Sequence, residues 1–210
     1  IQPLPLMQTF QVGLNKEFSP ISIPAGGIAT LSVSLFNPNP FELALSSDPP
    51  AWTDTLPAGV YFASPPNATT TCGGTVTTIG STLALIGGTV PAQVGVTPGS
   101  CTVTVNVSSI TAGNHINSIP ANTVRATNPD GSIQLTNPTP ADATLRVNTV
   151  QPPSLSKTFA PNTIWVGQTS TLTITLRNTD TGTDLTNVSL TDNLPANVTV
   201  AVPPASPQCG

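Results

Sequence analysis

The residues of this chain able to do chemistry are few: one histidine, His115, two lysines, Lys16 and Lys157, and three cysteines, Cys72, Cys101 and Cys209. Catalysis needs a positioned general base or an activated nucleophile. A single histidine, no paired glutamates and no cysteine with a basic neighbour supply neither. No glycine-rich phosphate loop opens a helix, because no segment carries a helical period. The chain is therefore expected to be no enzyme, with no catalytic residue and no cofactor. Cys72 and Cys101 lie 29 positions apart, the second at the start of an alternating segment. They are expected to form a disulfide in an oxidising compartment. Closing a loop of roughly 30 residues stabilises a fold by about 3.5 kcal/mol on the chain-entropy account. A metal reading is weaker, since only His115 could join the two sulfurs. Asn178, Asp180 and Asp184 alternate around Gly182 in NTDTGTD, a weak calcium candidate. No bidentate glutamate follows them, so a polar turn is the expectation.

These residues belong to an internal repeat. Residues 14–37, LNKEFSPISIPAGGIATLSVSLFN, return as 155–178, LSKTFAPNTIWVGQTSTLTITLRN. Lys16 falls on Lys157, Phe18 on Phe159, Pro20 on Pro161, Gly26 on Gly167 and Asn37 on Asn178. Further on, TDTLPAGV at 53–60 returns as TDNLPANV at 191–198, matching Asp54 with Asp192 and replacing Gly59 by Asn197. TCGG around Cys72 meets QCG around Cys209. Cys209 is thus the second copy of Cys72, expected to be unpaired or inter-chain within these residues. The expected organisation is an N-terminal arm over 1–10, a complete repeat over 11–150 and the first half of a second over 151–210. Leu4 and Leu6 align with Leu145 and Val147 of the first repeat's last segment. They mark a candidate donor strand, able to complete a neighbour's sandwich head to tail. The other reading is a window from a longer tandem array.

The elements that must position these residues are strands. ATLSVSLF puts Leu31, Val33 and Leu35 on one face and Thr and Ser on the other, and STLTITLR does the same with Leu172, Ile174 and Leu176. CTVTVNV at 101–107 and DATLRV at 142–147 alternate likewise, between turns such as NPNP, LPAG, SPPN and NPDG. Short alternating strands with Pro/Gly turns predict an all-β, antiparallel Greek-key sandwich.

Charged residues are only 7% of the chain and aromatics 4%, while prolines number 24. Five basic residues at a net charge of −4 exclude nucleic-acid binding and a polybasic membrane anchor. No apolar run approaches a membrane span, so no membrane insertion is expected in this segment. Residues 55–124 contain no Asp, Glu, Lys or Arg. Such a surface must be built of Thr, Ser, Asn and Gly, as suits a secreted or assembled protein better than a free monomer. The four sequons, at Asn67, Asn106, Asn187 and Asn197, match what chance provides at this composition.

Lys16, Phe18 and Pro20, then Leu31, Val33, Leu35 and Asn37, then Asp54, Leu56 and Pro57, with PPNATTTCGG and GSCTVTV following, make a pattern. It resembles a family of bacterial Ig-like repeats of uncharacterised function, found in tandem in large secreted or cell-surface proteins. The resemblance covers nearly the whole chain. It implies a β-sandwich, export, a cell-surface or extracellular location, and roles in adhesion, stalks or surface fibres. In some bacterial surface Ig-like modules a buried lysine bonds covalently to an asparagine with the help of an acidic residue. Lys16 with Asp54, and Lys157 with Asp192, are therefore expected as isopeptide sites or as partly buried ion pairs; the sequence singles out no asparagine. The leading expectation is a structural protein of an extracellular filament, its partners further copies of itself or neighbouring repeats. The alternative is an adhesin whose loops grip a surface glycan or host protein, with Trp52, Trp165 and Tyr61 as candidate surface aromatics.

Overall fold

The computed structural model describes residues 10–180 and 184–202. The chain divides into two compact units, Ile1–Thr149 and Val150–Gly210. Among the described residues every regular element is a β-strand, and no helix is long and apolar enough to cross a membrane.

The first unit opens with β1 (Gly13–Ser19), β2 (Ser22–Pro24) and β3 (Ile28–Asn37). Short strands β4 (Leu43–Leu45), β5 (Trp52–Thr55), β6 (Val60–Phe62) and β7 (Thr69–Thr70) follow. A hairpin of β8 (Thr75–Ile79) and β9 (Thr82–Ile86) leads through β10 (Thr89–Val90) to the longest strand, β11 (Gly99–Ser109). The unit closes with β12 (Gly113–Ile119), β13 (Ala126–Thr127), β14 (Gln134–Leu135) and β15 (Ala141–Asn148).

One sheet runs β1-β3-β11-β6, with β7 also on β11. Three others run β12-β15-β2, β5-β9-β8 and β10-β4-β13-β14. Strand periodicity explains which residues meet between them. Leu31, Val33 and Leu35 of β3 and Val103, Val105 and Val107 of β11 point one way and are fully buried. Trp52, Leu83, Leu85, Ile119 and Leu145 close on them from the other sheets to form one core. At about 1.5–3 kcal/mol for each fully buried large side chain, this layer is the main stabilising contribution.

The architecture is the all-β, Ig-like sandwich that the alternating strands predict, with one pairing the pattern did not announce. β2 runs parallel to β15, Ile23 opposite Val147. The Ser19–Ile21 corner carries the chain from the β1 sheet to the β15 sheet, where β2 runs in the same direction as the unit's last strand. Where ions are scarce, buried asparagines hold the loops. Asn37 donates to the carbonyls of Phe41 (2.7 Å) and Pro91 (2.9 Å), and its oxygen accepts from the Asn39 backbone at 3.0 Å. Asn137 accepts from the amides of Thr123 and Val124 and donates to Pro120 and Thr139. These bonds satisfy backbone groups that turn away from strand pairing, some of them buried.

The second unit holds β16 (Ser154–Ala160) and β17 (Thr171–Arg177) among its described residues. They pair antiparallel with Lys157 opposite Ile174, as Lys16 stands opposite Val33. The likeness extends to backbone detail. Ser19–Pro20 and Ala160–Pro161 are both cis, and Gly26 and Gly167 have φ of 84° and 85°. Asn178 accepts from the Asp180 amide at 3.0 Å, as Asn37 does from Asn39.

Candidate functional site

Three strands from three sheets bring Lys16, Asp54 and Asn117 together. On β1 the inward face carries Lys16 and Phe18, with Asn15, Glu17 and Ser19 outward. On β5 it carries Trp52 and Asp54, with Thr53 and Thr55 outward. On β12 His115, Asn117 and Ile119 face in, and β12 lies against β5. Period-2 alternation thus drives one amine, one carboxylate and one carboxamide into the interior beside a tryptophan.

Lys16 Nζ lies 2.7 Å from Asp54 Oδ1, and both side chains have no solvent exposure. That contact pulls each group toward its charged form, and the lysine nitrogen has no acceptor beyond it. Asn117 Nδ2 donates to the same Asp54 Oδ1 at 3.0 Å and to the Thr55 carbonyl at 2.8 Å. These two acceptors orient the amide and leave Asn117 Oδ1 unpartnered. Asp54 Oδ2 and the neighbouring Trp52 Nε1 are unpartnered as well. Orphaned buried polar atoms are costly and rare; here three belong to Lys16, Asp54 and Asn117, the residues that meet at Asp54.

Burial pushes the Lys16 ammonium below its ordinary value, against the pull of Asp54 and, more weakly, Asp142. Burial likewise pushes the Asp54 carboxyl up, against the pull of Lys16. Both directions favour neutral partners, an amine and a carboxylic acid.

Cys72 and Cys101 are joined by a disulfide, both buried, with Cα atoms 4.9 Å apart. His115 faces the Ala58 carbonyl with Nδ1 (3.2 Å) and the Thr111 carbonyl with Nε2 (2.8 Å), far in role from a metal ligand. Among the described residues no three His, Cys, Asp or Glu side chains gather as a metal site. In the weak calcium candidate, Asp180 Oδ2 accepts from the Gln151 amide at 2.8 Å and Asn178 caps a turn, while Asp184 is exposed. Trp52, taken from sequence as a candidate surface aromatic, is fully buried, because it shares the inward face of β5 with Asp54. Trp165 is 87% and Tyr61 44% exposed. Leu4, Leu6 and Cys209 lie outside the described residues.

In the second unit Lys157 Nζ donates to Asp192 Oδ1, also at 2.7 Å, but with 38% and 24% of the two side chains exposed. The ammonium sits 5.8 Å from the Phe159 ring centre. Sequence reasoning found both lysines and both aspartates and missed Asn117. HINSI carried no clear signal: Ile119 marks the face of His115 and Asn117, but Ile116 marks the opposite face, so alternation alone does not choose which of the two is buried.

The family model described as Domain of unknown function (DUF7933) matches residues 13–147 and again 153–210. A search of the curated proteins found no match. Among solved structures, the chain is similar to a cohesin module from the family 33 glycoside hydrolase of Clostridium perfringens ATCC13124. The two are 8% identical, with a TM-score of 0.46, and the match covers 67% of this chain and 99% of that one. A non-cellulosomal cohesin from the hyperthermophilic archaeon Archaeoglobus fulgidus is 11% identical, covering 66% and 91%, with a TM-score of 0.40. The collagen-binding domain of a Staphylococcus aureus adhesin is 11% identical, covering 67% and 99%, with a TM-score of 0.36.

Proposed function

The chain belongs to the DUF7933 domain family, and on that premise we propose that it is a non-catalytic structural protein of an extracellular fibre or cell-surface appendage. Its Ig-like units stand in series and carry load rather than perform chemistry. The observation that carries this reading is the recurrence of one frame in both units. The β1–β3 register, the cis proline, the left-handed glycine and the asparagine turn recur in β16–β17. A module repeated with its backbone geometry intact suits an array whose length, not whose pocket, is its purpose. The buried disulfide supports an oxidising, extracellular setting.

In this reading the apolar side of β17, where Leu176 is 37% exposed, is covered by a further strand. A strand from a neighbouring copy, such as the segment with Leu4 and Leu6, is one source, and a following stretch of a tandem array is the other. Electron microscopy of the purified protein tests the assembly. Filaments with a repeat of one subunit length are expected; monodisperse monomers that bind a specific glycan would sink it. A non-reducing gel adds the role of Cys209, since multimers that reductant dissolves implicate that thiol. The adhesin alternative rests on Trp165, whose exposed ring is suited to stacking on a sugar.

A further inference from the structure

We propose that Lys16 and Asn117 become joined by an isopeptide bond inside the folded first unit, with Asp54 carrying the proton. The inference concerns the core of one unit and stands whether or not the protein forms fibres.

Proximity comes first. Lys16 Nζ and Asn117 Nδ2 both lie within 3.0 Å of a single oxygen, Asp54 Oδ1, in a site closed to solvent. The amine and the carboxamide are thus held against the same atom by three different strands. Fixed partners of this kind gain the rate advantage of an intramolecular reaction.

The protonation states follow from burial. A desolvated lysine favours its neutral form, which is the nucleophile. A desolvated Asp54 favours its acid form, which can give and take a proton. The step balances without any further reagent. The Nζ lone pair adds to Asn117 Cγ, and the Cγ–Nζ bond forms. Asp54 takes a proton from Nζ and returns one to Nδ2. The Cγ–Nδ2 bond breaks and the nitrogen leaves as ammonia. Asp54 ends as it began, so it is a proton carrier rather than a reactant.

The product also resolves the orphaned atoms. Before reaction Lys16 Nζ, Asp54 Oδ2 and Asn117 Oδ1 have no hydrogen-bond partner. After it, the new amide N–H has Asp54 Oδ1 as acceptor, and the acid proton on Asp54 Oδ2 has Asn117 Oδ1. Three unsatisfied buried groups become two hydrogen bonds and one covalent bond. A permanent ion pair leaves Asp54 Oδ2 and Asn117 Oδ1 unsatisfied and retains two desolvated charges. Turning the Asn117 amide over offers no remedy, because its nitrogen would lose both of its acceptors.

The consequence suits a load-bearing module. The bond ties β1 to β12 across the sandwich, so pulling on the chain cannot peel the first strand away.

Mass spectrometry of the reduced 210-residue chain tests the proposal. The expected mass is about 17 Da below that of the sequence, the loss of one ammonia. Trypsin should also fail to cut after Lys16, leaving residues 1–125 as one peptide that carries the deficit. This second readout excludes a succinimide elsewhere, which has the same mass loss but leaves Lys16 cleavable. Asn117→Ala and Asp54→Ala should restore the full mass, and Lys157→Ala should leave the deficit in place. A wild-type chain at full sequence mass that releases peptide 1–16 overturns the proposal, even if neither core variant folds. A deficit that survives Asn117→Ala overturns the assignment of the partner.

Discussion

Lys16 and Lys157 occupy the same place on the same strand of a repeated frame, and each meets an aspartate at 2.7 Å. Their surroundings separate them. Over Lys16 stand β5 and β12, which remove all solvent from the pair and bring Asn117 to it. Lys157 and Asp192 remain partly in water, and Phe159 beside them is 40% exposed where Phe18 is 3%. Water screens the second pair into an ordinary surface contact, while its absence at the first favours neutral, reactive forms. Within these residues the same local sequence therefore carries one lysine–aspartate pair closed to solvent beside Asn117 and one that reaches water, and the covering strands make the difference.

The largest expected effect breaks this contrast directly. Lys16→Ala leaves a buried carboxyl without its partner and should cost about 3–5 kcal/mol in chemical denaturation of the first unit. Lys157→Ala should cost less than about 1 kcal/mol by the same measurement. Next comes the disulfide. Replacing Cys72 and Cys101 together by alanine should cost about 3.5 kcal/mol, because the closed loop of 29 residues is released in the unfolded chain. Equal stability of that variant with and without reductant is the control.

A smaller effect sharpens the comparison at the LPA turns. Gly59 and Asn197 hold the same left-handed conformation, at φ of 85° and 69°, and the bonds Val60 N to Pro57 O and Val198 N to Pro195 O match. A Cβ on Gly59 would meet His115 Cε1 and Thr111 Oγ1 at 3.2 Å, whereas Asn197 is exposed. Gly59→Asn should therefore cost about 1 kcal/mol by thermal melting, and Asn197→Gly should stay within about 0.5 kcal/mol. The last prediction changes no stability. Iodide should quench the fluorescence of Trp165 and spare that of Trp52, which is fully buried. Trp52→Phe and Trp165→Phe assign the two components.

Much of the fold was legible because strands announce themselves locally. Alternation in ATLSVSLF, CTVTVNV and DATLRV identified β3, β11 and β15 together with their buried faces. Two of the three site residues were legible too, since the repeat singles out Lys16 and Asp54. Asn117 was not, because it comes 63 positions after Asp54 on a strand with an isoleucine on each face, Ile116 exposed and Ile119 buried. In HINSI only Ile119 is an aliphatic marker of the inward face. Trp52 misled because a four-residue strand gives little local sign of its buried face, which Trp52 shares with Asp54. The parallel pairing of β2 with β15 depends on contacts more than 120 residues apart, for which no local pattern exists.

By itself the sequence determines what is local: period-2 faces, turn chemistry, the recurrence of a lysine, an aspartate and a glycine at fixed places, and the pairing register they share. These follow from backbone sterics and nearest neighbours, so both units express them alike. Tertiary structure alone decides which lysine is dry and which asparagine it meets. Alternation chooses the face on which a side chain stands, but desolvation depends on what the rest of the chain lays over that face. In the first unit β5 and β12 cover it, and in the described part of the second Lys157 still reaches water.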